Sequence, residues 1–188
     1  MHLKNLLGTR LHRPLAVAAL LLGGLPAIAD DTRREWIESQ LPDLMQVYVH
    51  LHQNPEVSFE EHQTAKYIAA QWRQAGYQVT ENVGGTGVVA VLENGDGPTI
   101  MLRTDLDALP VSEATNLPYA STQTVVTDSG TTSGVMHACG HDIHMTNLIG
   151  VARYMSSHRD EWRGKLLLIG QPAEERGAGA LAMLGDGL

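Results

Sequence analysis

Three histidines, an aspartate and the only cysteine of a 188-residue chain fall within the ten residues Met136-His137-Ala138-Cys139-Gly140-His141-Asp142-Ile143-His144-Met145. Whatever the chain folds into has to present this stretch, and the rest reads as a frame around it. Thiolate, imidazole and carboxylate are the side chains that bind borderline metals such as zinc. Gly140, between Cys139 and His141, lets the backbone turn with no side chain in the way. A metal site is therefore the leading reading. Two others stay open on this segment alone: Cys139 as a small buried apolar residue among ordinary histidines, or a nucleophilic thiolate served by His137 or His141. His144 stands one helical turn beyond His141, where it either shares the same pocket or packs the helix start.

A chain with 43% hydrophobic and 18% charged residues has the composition of a globular protein, and its length suffices for one domain with a core. The net charge of -8 argues against nucleic acid as a partner, because phosphate binding needs clustered Lys and Arg.

Lys4, Arg10 and Arg13 precede an apolar run over residues 15–25, and Ala27 and Ala29 then stand at small-residue positions before Asp30. That order predicts a secretory signal over residues 1–29, cleaved after Ala29, and an exported, periplasmic or secreted protein with no stable membrane association afterwards. Export usually brings paired cysteines. The single Cys139 cannot form an internal disulfide, which is a further reason to expect a metal on it.

From Asp30, apolar residues Trp36, Ile37, Leu41, Leu44, Met45, Val47, Tyr48 and Leu51 recur at helical spacing, with Asp30 or Asp31 as cap, a split or kink at Pro42 and an end near Asn54-Pro55. His50 and His52 near its end read as structural. Ser58 and Glu61 have capping-box spacing and open a second helix through Ala75 that buries Ala65, Ile68, Ala69 and Trp72, with Gly76 as its stop. Residues 77–80, 87–92 and 99–103 read as strands of one sheet. The third runs into Asp105 and Asp107, alternate carboxylates that extended chain aims at one region beyond a strand end. Residues 112–135 show no period and are expected to form a long excursion over the sheet edge. A helix burying Leu148, Ile149, Val151, Ala152 and Met155 follows the central motif. A buried strand over residues 165–169 then delivers Gln171-Pro172-Ala173-Glu174-Glu175. Adjacent glutamates at a strand end suit two jobs, one binding a metal while the other holds the attacking water.

In order, His52-Gln53-Asn54-Pro55-Glu56, Gly85-Thr86-Gly87, Arg103-Thr104-Asp105-Leu106-Asp107-Ala108-Leu109-Pro110, Met136-His137-Ala138-Cys139-Gly140-His141-Asp142 and Gln171-Pro172-Ala173-Glu174-Glu175 resemble the M20 metallopeptidase family. The branch is that of hippurate hydrolases, N-acyl-amino-acid deacylases and auxin-conjugate hydrolases. The resemblance covers nearly all of the chain after residue 29. It implies an α/β fold, a three-layer mixed sheet flanked by helices of the zinc-peptidase kind, of which residues 30–188 would be the N-terminal part.

It also implies metal-dependent hydrolysis of the amide bond in N-acyl amino acids or small peptides. Cys139, His141 and Glu175 would be metal ligands, Glu174 the general base and Asp107 the aspartate that orients the centre. Asp105, His137, Asp142 and His144 would line the site. Two divalent ions, zinc or manganese, would be the cofactors, and full-length enzymes of the branch would form homodimers. Such enzymes continue beyond the position of Leu188 through further histidine ligands and a lid and dimerisation domain. This chain alone is therefore expected to be an inactive or weakly metal-binding portion, with apolar sheet edges left open.

Overall fold

The computed structural model describes residues 27–188, with side chains from residue 31. Two units are distinguished, residues up to Ile37 and Glu38–Leu188. Within the described part, the first comprises only the opening turns of helix α1 (Ala27–Gln53). The expected signal segment lies outside the described residues except for residues 27–29, which are helical.

After α1 come α2 (His62–Gln74), β1 (Gln78–Val83), β2 (Gly87–Asn94), β3 (Thr99–Asp105), β4 (Thr124–Val126), β5 (Thr132–Gly134), α3 (His141–Ser157), β6 (Gly164–Gln171) and α4 (Gly179–Gly185). Four strands form one mixed sheet in the order β1-β2-β6-β3. β6 pairs antiparallel with β2 and parallel with β3. Flanked on both sides, it is the near-continuous apolar run that a central strand requires. The fold class expected from the sequence, a mixed sheet flanked by helices, is the one observed.

The core lies between one sheet face and the helices. Val88, Ala90 and Leu92 of β2 and Leu166 and Leu168 of β6 alternate inward and meet Ile68, Ala69 and Trp72 of α2 and Met145, Ile149 and Ala152 of α3. On α1, Val47 and Leu51 join them. Gly150 lets α1 approach α3, because a Cβ there would stand 3.3 Å from Leu44 Cδ1. Gly87 points away from this core, toward α4, where an added Cβ would fall 2.9 Å from Met183 Cε.

Several local expectations are corrected. α1 runs unbroken through Pro42, which is exposed, so the carbonyl freed by its missing N–H can turn to water. Asp30 and Asp31 lie inside that helix rather than capping it, and Ile37, Leu41 and Met45 are exposed. Ser58 and Glu61 form no capping box: α2 begins at His62 without a side-chain bond from its cap residue. Its orphan N–H groups at Gln63 and Thr64 instead donate to Glu56 Oε2 (2.9 and 2.8 Å), an anion at the positive helix end. The excursion over residues 112–135 contains the small antiparallel pair β4–β5. On α3, Val151 is exposed although Leu148, Ile149 and Ala152 are buried as expected.

β3 is an edge of the sheet, and Ile100 and Met101 on it are 55% and 59% exposed. An exposed apolar edge templates association. Met101→Lys is expected to raise the monomer fraction in sedimentation while shifting the urea midpoint by no more than about 0.5 kcal/mol of stability; unchanged self-association would mean that this edge is not the sticky one.

Candidate metal centre

The parallel register of β3 and β6 sets Asp105 beside Gln171, so both strands end together and release their polar tails at one place. Leu106 N donates to Gln171 O (2.9 Å), and Gly170 has no Cβ where Leu106 packs, 3.0 Å from the position one would take. Main-chain bonds then tie in two more segments. Ala108 N donates to Glu56 O (2.8 Å), and Leu109 and Met136 exchange N–H···O bonds of 3.1 Å. The His137–His141 stretch is thereby laid across the strand ends. Gly140, left-handed at φ 77°, makes the turn into α3 that the sequence predicts.

His141 is the hub. Its Nδ1 donates to the Asp107 carbonyl (2.8 Å), which leaves Nε2 as the free lone pair of the neutral ring. Nε2 faces three carboxylates, Asp105 Oδ2 at 3.7 Å, Glu174 Oε2 at 3.7 Å and Glu175 Oε1 at 3.9 Å. All are beyond hydrogen-bond distance. Burial alone would lower the His141 pKa, but the hydrogen bonds of Asp107 and the charges of Asp105 and Asp107 outweigh it and raise it to about 9. Among the described residues two donor sets come within 4.8 Å, Asp105–His141–His144 and His141–Glu174–Glu175.

Asp107 is fully buried, yet hydrogen bonds from His141, Ser58 and the 174–175 backbone overcome desolvation and lower its pKa. Ser58 Oγ donates to its Oδ2 (2.6 Å), as does Glu175 N (3.0 Å). Asp105 is raised by burial against the opposing charge of Arg103, whose guanidinium pairs with its Oδ1. Cys139 is exposed, so the buried-apolar reading fails. The neighbouring Glu175 carboxylate raises the pKa of its thiol. That is opposite to the shift a nucleophilic thiol needs, and the partner is a carboxylate instead of a histidine. His137 is buried, and desolvation lowers its pKa to about 4. His144 is exposed, with Nδ1 4.0 Å from Asp105 Oδ2.

Comparison with known proteins agrees with this geometry. Residues 101–188 match the model of peptidase family M20/M25/M40. Hippurate hydrolase of Campylobacter jejuni is 48% identical over 73% of this chain and 33% of its own length. N-acetyl-L-cysteine deacetylase of Bacillus subtilis is 44% identical over 73% of this chain and 31% of its own. The Bacillus subtilis protein YxeP, described as a dinuclear metal-binding peptidase of family M20, superposes with a TM-score of 0.70 and 38% identity over 80% of this chain and 40% of its own. The chain belongs among the M20 metallopeptidases and amidohydrolases. It spans about a third of the length of the curated M20 relatives it matches.

The residues present fit the metal that the M20 family implies. Glu175 Oε1 is buried without an N–H or O–H donor, and it faces His141 Nε2 across a gap too wide for a hydrogen bond. Buried oxygens left so are what a cation satisfies.

Sequence reasoning missed several residues around this M20 centre. Ser58 and Glu61 carried a helix-start signal but serve the site, Ser58 through Asp107 and Glu61 through Ala173 N (2.8 Å). Arg103 Nε donates to Gln171 Oε1 (2.8 Å) and so braces both strand ends. His52, read as structural, does have a structural role, yet it grips Asp142 beside the hub. Its Nδ1 stands 2.7 Å from Asp142 Oδ2 and its Nε2 3.0 Å from Glu113 Oε1. No spacing in the sequence links residues 61 and 90 positions apart.

Both ring nitrogens of His52 face carboxylates, so the imidazolium is the form that donates twice. Burial lowers its pKa, but the hydrogen bonds of Asp142 and Glu113 more than offset this and raise it above 6.5. A raised pKa means the contribution to stability is complete below the unfolded value and is lost as pH rises through the folded one. His52→Gln is expected to lose about 3 kcal/mol in urea unfolding at pH 6, with the gap to the native chain narrowing above neutrality; a gap that widens with pH would contradict the paired imidazolium.

Proposed function

We propose that this chain is part of an exported, metal-dependent amidohydrolase that cleaves the C–N bond of N-acyl amino acids or similar small amides. The single observation that carries the reading is the His141 Nε2 nitrogen facing Asp105, Glu174 and Glu175 at 3.7–3.9 Å. Cys139, His141 and Glu175 would hold the metal, with Asp105 and His144 beside them and Asp107 orienting the imidazole. The names of the two curated relatives, hydrolases of a hippurate and of an N-acetyl amino acid, support the substrate class. A pair of divalent ions, zinc or manganese, held there would lower the pKa of water toward about 7 and polarise the amide carbonyl.

Glu174 is the more exposed of the two glutamates, with 40% of its side chain open against 16% for Glu175. It therefore reaches the water and the substrate. Its carboxylate takes a proton from the water as the water oxygen bonds to the carbonyl carbon. It then gives that proton to the nitrogen as the C–N bond breaks, releasing carboxylic acid and amine. The basic residues, apolar run and small residues before Asp30 support export.

Metal binding without turnover is a second reading, favoured by the donor set itself. Cys139, His141 and Glu175 are three ligands, fewer than two four-coordinate ions require.

Glu174→Gln is expected to keep the metal content of the parent while hydrolysis of N-acyl amino acids falls by about two to four orders of magnitude. Chelation should abolish turnover, and thiol alkylation of the metal-loaded protein should not. Normal turnover in Glu174→Gln would sink the assignment, and stoichiometric metal uptake with no turnover in the parent chain would establish the second reading.

A further inference from the structure

Glu61 has no role in the chemistry above, yet it is a fully buried carboxylate. Its Oε1 accepts the Ala173 N–H (2.8 Å), and its Oε2 accepts the Thr86 hydroxyl. Among the described residues four non-glycine positions have positive φ: Phe59 (68°), Asn82, Asn116 and Ala173 (47°). Asparagine tolerates that region, whereas phenylalanine and alanine do not adopt it without support. Of these two, Ala173 is the one whose N–H donates to Glu61.

Ala173 is also a pivot. Its carbonyl accepts Ala178 N (3.2 Å) and Gly179 N (3.3 Å), and Glu174 O accepts Gly177 N (2.7 Å), so its φ sets the course of the turn carrying Glu174 and Glu175.

We propose that Glu61 is a positioning residue: by holding Ala173 left-handed it aims the Glu174–Glu175 pair at His141. A carboxylate suits this because it only accepts, and can therefore collect backbone and hydroxyl donors together. Glutamine of the same shape turns an NH2 group toward one of them. The idea rests on the metal reading for one of its two measurements only.

The test uses the full chain with Glu61→Gln, alone and with Ala173→Gly. Amide exchange and the HN–Hα coupling of Ala173 are read by NMR, and Co(II) is titrated by its visible spectrum. In Glu61→Gln the Ala173 amide is expected to exchange about tenfold faster, with its coupling leaving the left-handed value and Leu168 unchanged. Co(II) should bind about tenfold more weakly, and Ala173→Gly should restore it, since glycine takes positive φ unaided. A merely structural Glu61 predicts no such rescue.

If Glu61→Gln does not fold, Thr86→Val loosens the same carboxylate and should speed Ala173 exchange in the same sense. Ala173 protected and left-handed in the variant that folds overturns the proposal, as does a Co(II) loss that Ala173→Gly leaves in place. If the parent chain takes up no Co(II), the metal reading falls, and the exchange of Ala173 still decides the role of Glu61.

Discussion

The buried carboxylate of Asp107 joins most of what matters here. Its side chain accepts from Ser58 before α2 and from the backbone of Glu175 after β6, while its own carbonyl holds the ring of His141 at the start of α3. Three segments far apart in sequence thus converge on one residue of the β3 tail. Charge-assisted bonds of this kind are roughly twice as strong as neutral ones, and the two that its carboxylate accepts, with the His141 ring beside it, hold the Asp107 pKa down against desolvation. Replacing the side chain would leave the Ser58 hydroxyl and the Glu175 N–H without their shared acceptor.

The carboxylates gathered by this arrangement repel one another. Asp105, Asp107, Glu174 and Glu175 all lie near His141, and the Arg103 guanidinium pairs with one of them, Asp105. Such a cluster asks for positive charge at its centre. A proton on His141 partly supplies it, which is why that pKa rises against burial. A divalent cation supplies more charge, and coordinates the oxygens that the protein leaves without donors. The electrostatics that make the site costly to fold are those that make it selective for a cation.

What was legible in the sequence follows from interaction range. The strands, the apolar run of β6 and the turn at Gly140 rest on local signals, periodicity and adjacency, and the structure has them where those signals point. The route by which Asp107 orients His141 was not legible, because it runs through a backbone carbonyl that no residue type advertises. The Ser58–Glu61 spacing misled for the opposite reason. It is a real local signal for a capping box, but both side chains found stronger partners 49 and 112 residues away. The pair β4–β5 escaped because three-residue strands carry too little pattern to register.

The fate of Glu61 can be decided by magnitudes. Capping α2 would gain about 1 kcal/mol, and Glu56 already satisfies the Gln63 and Thr64 amides from outside the helix. Left-handed backbone at Ala173 costs on the order of 1–3 kcal/mol. A carboxylate that can meet either demand therefore goes to the larger one, and the smaller is handed to a neighbour. This ordering also explains why a fully buried acid is tolerated without a cation in contact: its donors are backbone and hydroxyl groups whose own burial it satisfies. The start of α2, just beyond the Asn54-Pro55 break that ends α1, thus serves the far end of the sheet more than it serves its own helix.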